Sequence, residues 1–96
     1  MSAMHIVRFH LNTDVTEKDF LAVNEQFQRE AMSLLPGLER REACRGADGE
    51  WVLILRYRDL ASAKQQQGAP SEAGKQLMAM IDKQTLSGTH YEIASE

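Results

Sequence analysis

Read for apolar and polar positions, the chain divides into alternating strand-like and helix-like stretches. Residues 5–11 alternate, with His5, Val7, Phe9 and Leu11 on one side and Ile6, Arg8 and His10 on the other, the period of a strand. Asn12-Thr13-Asp14 reads as a turn, and Thr16 followed by Asp19 resembles a capping box opening a helix. Phe20, Val23, Phe27, Ala31 and Leu34 then recur at helical spacing, until Leu35-Pro36-Gly37 stops the helix. Residues 38–45 form a polar strand of the kind found at a sheet edge. Gly46-Ala47-Asp48-Gly49 is a hairpin turn, and 51–57 returns antiparallel. Asp59 opens a helix over 60–67, which Gly68-Ala69-Pro70 interrupts. Ser71 caps a second helical segment in which Ala73, Leu77, Met80 and Ile81 line one face. Ser87-Gly88 precedes a last strand over 89–94.

The run from Trp51 to Tyr57 carries the most information, because it is apolar on both faces. Trp51, Leu53, Leu55 and Tyr57 share one side, and Val52, Ile54 and Arg56 the other. A strand of that kind is normally covered twice. The order strand, helix, strand, strand, helix, strand, with right-handed crossovers, gives an α+β, ferredoxin-like fold. It is a four-stranded antiparallel sheet with both helices on one face and the first and third strands central. Val7, Phe9, Leu53 and Leu55 match the helix stripes. Ile6, Val52 and Ile54 are left on the other side, and keeping them wet forfeits about 1.5–3 kcal/mol each. The expectation is a homodimer in which two such sheets pack face to face.

Composition narrows the partners more than the chemistry. Ninety-six residues imply a single domain over 1–96 whose core a dimer interface would enlarge materially. A formal net charge of −3 gives no electrostatic case for nucleic acid or an anionic membrane. Cys44, the single cysteine, fits a reducing compartment, and no apolar run approaches a membrane span or signal-peptide core. A cytoplasmic location is expected.

Nearly the whole chain, from His5 to Glu92, resembles the dimeric α/β-barrel superfamily and, within it, the antibiotic-biosynthesis-monooxygenase-like group. The likeness rests on the element order, on Leu35-Pro36-Gly37-Leu38, and on the Asp48-Gly49 hairpin. It rests also on Trp51 to Tyr57 running through Arg58-Asp59-Leu60-Ala61-Ser62-Ala63 into an acidic, alanine-containing helix start. The resemblance implies one of several activities: cofactor-free oxygenation of phenolic polyketides or quinols, haem degradation, isomerisation, or none known. Tyr57 stands where many members have tryptophan. The haem-degrading branch uses a first-strand asparagine plus a tryptophan and a histidine on the second helix. Here Arg8 or Phe9 stands near the first place, Gln65-Gln66-Gln67 and later Met78 and Met80 occupy the helix, and no histidine lies between His10 and His90. Haem degradation is disfavoured.

Cofactor-free oxygenation makes the substrate the electron donor. The protein supplies a base, a dry cavity and donors for the anion. His5, on the helix-facing side of the first strand, is the candidate base, against its reading as a partly exposed strand-end histidine. Asn24 falls within the apolar stripe of the first helix, where its amide orients a substrate or bonds a neighbour. Trp51 and Tyr57 wall an aromatic ligand, with the Tyr57 hydroxyl as donor, although core packing explains both equally. Phe9, Phe27 and Met78 complete the substrate-contacting set, and Met80 is a second gap-filling methionine. Arg8, Arg56, His10, His90 and Glu92 are expected together on the partner-facing side, as an ion-pair network rather than a catalytic site, with Glu92 or Glu42 as acceptors. Cys44 has no partner for nucleophilic catalysis. The three histidines lack metal-ligand spacing, Gly46, Gly49 and Gly68 serve turns, and no cofactor is expected.

Two functions from different classes follow. The first is a cofactor-independent monooxygenase-like enzyme for a small aromatic or quinol-type molecule. The alternative is a non-catalytic homodimeric small-ligand-binding or scaffold protein, and an isomerase would need the same proton-transfer groups as the first.

Overall fold

The computed structural model describes residues 1–65 and 71–96. It contains β1 (Ala3–Leu11), α1 (Glu17–Leu34), β2 (Leu38–Arg45), β3 (Trp51–Tyr57), α2 (Leu60–Lys64), α3 (Glu72–Ala79) and β4 (Ile81–Glu92). The strands form one antiparallel sheet in the order β2-β3-β1-β4, with β1 and β3 central as expected. This is the ferredoxin-like βαββαβ arrangement. The expected helical continuation to Gln67, its neighbour Gln66 and the break at Gly68-Ala69-Pro70 lie outside the described residues.

Local chemistry sets the helix ends. The Thr16 hydroxyl accepts from the Asp19 N–H at 3.1 Å, Asp59 accepts from the Ser62 N–H at 2.7 Å, and Ser71 accepts from the Gly74 N–H at 3.1 Å. Each satisfies one of the orphan donors of a first helical turn. α1 buries Phe20, Asn24, Phe27 and Ala31, with Val23 and Leu34 half-buried at the margins of the stripe. Gly37 takes φ +81° and brings its α-carbon so close to α2 that a Cβ there would lie 2.7 Å from Ser62 Cβ.

β1 pairs β3 as Val7 with Leu53 and Phe9 with Trp51, so the inward side chains of both strands share the helix-covered face. Phe9, Phe20 and Trp51 form an aromatic cluster there, with ring centroids 5.8 Å (Phe9 to Phe20) and 4.9 Å (Phe20 to Trp51) apart. The opposite face presents Ile6, Val52 and Ile54, all half-buried in the single chain, with Tyr91 49% exposed beside them.

The last strand differs from expectation. It begins at Ile81, not at residue 89, and Met80 and Ile81 lie beyond α3 instead of on its stripe. α3 stops at Ala79 because Asn12 takes its final carbonyls. The Asn12 side-chain amide donates to Ala79 O and its backbone N–H to Met80 O, both at 2.9 Å. Gly88 is not a turn residue; it sits opposite Val7 inside β4. A Cβ at Gly88 would lie 3.0 Å from His5 Nε2, so the glycine answers a close approach. The ladder slips between Arg8 and His10, where residues 83–86 bulge from β4 and the Thr85 hydroxyl accepts from the His10 N–H at 2.8 Å.

Candidate active site

Between the sheet and helices α1 and α3 lies a cavity of about 260 Å³. β1 contributes His5 and Val7, β3 contributes Leu53 and Leu55, and β4 contributes Ile81, Leu86 and Gly88. α1 supplies Phe27, α3 supplies Gly74, Leu77 and Met78, and Leu35 and Arg41 complete the wall. Among the described residues, His5 and Arg41 carry its only ionisable side chains. Every other described residue of the lining is apolar or glycine, which makes the cavity a poor place for water and a good one for a small aromatic body.

His5 is half-buried and stacks on His90 of β4, with centroids 4.2 Å apart and planes 12° from parallel. Burial pushes its pKa below the ordinary 6.5, and the charge of His90 pushes it further the same way. A neutral imidazole can accept a proton. Its Nδ1 is buried and has no hydrogen-bond partner among the described residues.

Arg41 is the site residue that the alternation of apolar and polar positions did not find. Leu38 and Arg41 are three positions apart, so strict alternation cannot turn both inward, yet they are 6% and 4% exposed. A bulge between Leu38 and Arg40 resolves the conflict, placing Leu38 opposite Tyr57 and Arg41 opposite Leu55. The guanidinium lies over the Phe27 ring, 5.1 Å from its centroid. Its Nη1 donates to Asn24 Oδ1 at 2.9 Å and to Gln28 Oε1 at 2.6 Å. The Gln28 amide nitrogen donates in turn to the Arg41 carbonyl at 2.5 Å. Burial lowers the Arg41 pKa to about 10, with Tyr57 acting in the opposite sense, so the group stays cationic at neutral pH. Counting back from the hairpin, Arg45 opposite Trp51 and Ala43 opposite Leu53, would have revealed Arg41 on the inner face.

The expected site residues are thus divided. His5, Phe27 and Met78 meet at the cavity. Asn24, 8% exposed, spends its amide oxygen on Arg41. Tyr57 is 1% exposed; burial raises its pKa against the opposing charge of Arg41, and its hydroxyl has no partner among the described residues. Tyr57, Phe9 and Trp51 do not line the cavity. Phe9 and Trp51 sit in the aromatic cluster with Phe20, since the inward positions at that end of β1 and β3 fall under the start of α1.

The expected polar cluster is also split. Arg8, His10 and Arg56 lie on the open face, but His90 pairs with His5 and Glu92 with Ala3, which puts both on the helix side. On the open face Arg56 meets Glu39 at 3.5 Å and Glu96 at 2.8 Å, and Arg40 meets Glu42 at 3.1 Å.

Among solved structures the chain is similar to Rv0793 from Mycobacterium tuberculosis, with a TM-score of 0.73, 20% identity, and 100% of this chain and 98% of that one covered. It is similar to SnoaB, a cofactor-independent oxygenase from Streptomyces nogalater, with a TM-score of 0.73, 16% identity, and 99% and 95% covered. A dimeric protein of unknown function and ferredoxin-like fold from Bacteroides fragilis gives a TM-score of 0.68, 21% identity, and 96% of both chains covered. No family model and no curated protein matches the sequence. At these identities the likeness is one of fold alone, the ferredoxin-like βαββαβ arrangement described above.

Proposed function

We propose that this protein is a homodimeric, cofactor-independent monooxygenase-like enzyme acting on a small phenol- or quinol-type molecule. The observation that carries the reading is an apolar cavity holding an imidazole kept neutral by burial. His5 removes a proton from a hydroxyl or an acidic carbon of the substrate, and the dry surroundings favour electron transfer from the resulting anion to dioxygen. For an anthrone the balance is one anthrone and one dioxygen to one anthraquinone and one water. The methylene carbon is oxidised to a carbonyl, one oxygen atom stays in the product, and the other leaves as water with both methylene hydrogens. Fold likeness to an oxygenase that works without a cofactor supports the same class.

The dimer is supported by the open sheet face, where Ile6, Val52 and Ile54 line up with no covering element among the described residues. A structure of the same fold is described as dimeric.

Oxygen uptake with a panel of anthrones and hydroquinones tests the enzyme reading. Uptake above buffer is expected, falling by about 100-fold or more in His5→Ala, the usual scale for losing a general base. Uptake no faster than buffer would remove it. One observation favours a non-catalytic ligand-binding protein: among the described residues His5 Nδ1 meets no carboxylate or carbonyl that would orient the ring, and its neighbour is another imidazole. That reading expects binding without oxygen uptake.

A further inference from the structure

The bulge in β4 turns an additional apolar side chain into the cavity. Between the paired positions Arg8 and His10, β1 has one residue, whereas β4 has four, Lys83 to Leu86, between Asp82 and Ser87. Ile81 and Leu86 are five positions apart, so an even strand would point them to opposite faces, yet both line the cavity. The bulge reconciles them. Residues 83–86 have no cross-strand partner on β1, and side chains hold the segment instead. The Thr85 hydroxyl accepts from the His10 N–H at 2.8 Å and donates to the Asp82 carbonyl at 2.7 Å. The Asp82 carboxylate accepts from the Gln84 N–H at 3.1 Å. Leu86 also stands where the cavity meets its surroundings. Leu53, Leu55 and Leu77 are buried in its depth, while Leu86 and Met78 are half-buried and Gly88 is exposed. Among the described residues the mouth therefore lies along β4, an edge strand of the sheet, with Met78 of α3 across from the bulge.

We propose that Leu86 is the specificity-determining residue of this cavity, the side chain that limits how far a flat ring system extends toward the β4 edge, and that Thr85 positions it. The volume of about 260 Å³ lies under the span of about 300–1,000 Å³ typical of drug-sized ligands, so a substrate of several fused rings presses against the mouth. The deep wall cannot yield, because its leucines belong to the close-packed core. Leu86 is carried on a segment outside the ladder, so its size changes without disturbing the register of β1 and β4. Bulges beside a site commonly re-aim one side chain in this way. The inference deepens the function proposed above and rests on it for the cavity as the substrate site, while selective binding itself does not require turnover.

The test measures the affinities of 2-naphthol, with two fused rings, and 1-hydroxypyrene, with four, by fluorescence titration of the intact protein at pH 7. The quantity read is their ratio in the parent and in variants at position 86. Leu86→Ala is expected to shift the ratio toward 1-hydroxypyrene by at least about tenfold, the lower end of what one methylene is worth in an apolar pocket. Leu86→Phe is expected to shift it the other way. Thr85→Val loses both hydroxyl bonds and is expected to move the ratio in the direction of Leu86→Ala, whereas Thr85→Ser keeps the hydroxyl and the parent ratio. A ratio unchanged by Leu86→Ala, an equal loss of both probes, or failure of the parent to bind either one would overturn the proposal. If Leu86→Ala does not fold, Leu86→Val asks the same question with a smaller shift. A parent ratio in Thr85→Val would overturn the positioning role. Oxygen uptake by a protein whose ratio ignores position 86 would sink this inference alone. A ratio that follows position 86 without oxygen uptake would sink the oxygenase reading alone.

Discussion

Replacing Tyr57 by phenylalanine should make this protein more stable. The side chain is 1% exposed and its hydroxyl is buried with no hydrogen-bond partner among the described residues. An unpaired hydroxyl taken from water costs about 1–3 kcal/mol. Deleting the oxygen sacrifices a few of its contacts, each about 0.1–0.2 kcal/mol. A net gain of about 1 kcal/mol or more remains, and for a chain of this length that raises the melting midpoint by about 4–8 °C. The effect should grow toward alkaline pH. Burial raises the Tyr57 pKa above 10.0 against the opposing charge of Arg41. As pH climbs past the unfolded value, the unfolded chain ionises first, and stability falls until the folded pKa is passed. Phenylalanine removes that decline. Urea melts followed by Trp51 fluorescence at pH 7 and above pH 10, at one fixed protein concentration, measure both effects. A variant less stable than the parent at pH 7 would refute the reasoning, because the hydroxyl would then have to be making a favourable bond.

Gly37→Ala is expected to destabilise by about 1–3 kcal/mol in thermal melts, since the backbone sits at φ +81° and the new methyl would meet Ser62 Cβ and Oγ at 2.7 Å. NMR titration should place the His5 midpoint below 6.5, and His90→Phe should raise it partway, because burial remains the larger cause. By the same shift the unfolded chain takes the His5 proton first as pH falls through 6.5, so this contribution to stability is lost toward acid; a midpoint at or above 6.5 would remove the neutral base. Ile54→Glu places a charge at the centre of the open sheet face and should convert a sedimenting dimer into a folded monomer, whereas a parent protein that already sediments as a monomer would defeat the dimer.

The fold was legible because its signals are periodic. The alternation in Trp51–Tyr57 and the helical recurrence of Phe20, Phe27 and Ala31 reach their expected faces, and Thr16, Asp59 and Ser71 cap the helices they precede. The start of β4 was not legible, because Ser87-Gly88 has the composition of a turn. What makes Gly88 a glycine is the ring of His5 on the next strand, a tertiary fact with no local signature. The site was legible by half. His5 follows from alternation counted along β1, but Arg41 emerges only when β2 is counted back from the hairpin, because a bulge between Leu38 and Arg40 puts the apolar Leu38 out of phase with it. Asn24 stood out correctly as an amide inside an apolar stripe, yet its partner proved to be Arg41, a side chain of the polar strand that the pattern did not single out.

Two unfavourable features therefore coincide on β2. One is a break in the ladder at residue 39, which leaves a residue without its cross-strand pair. The other is a guanidinium at 4% exposure whose neutral partners engage only one of its three nitrogens. A buried charge without a counterion commonly costs several kcal/mol, and an aliphatic side chain of similar volume is often the more stable choice. Stability alone would favour a methionine at position 41 in an even ladder. Phe27 covers one face of the guanidinium and Asn24 and Gln28 hold one nitrogen, so the surroundings are built to fix its orientation while leaving one edge unanswered. Arg41 itself lines a cavity whose only other titratable group among the described residues is His5. A purely structural role for Arg41 explains the clamp on Nη1 but leaves the burial of the other two nitrogens as an uncompensated penalty.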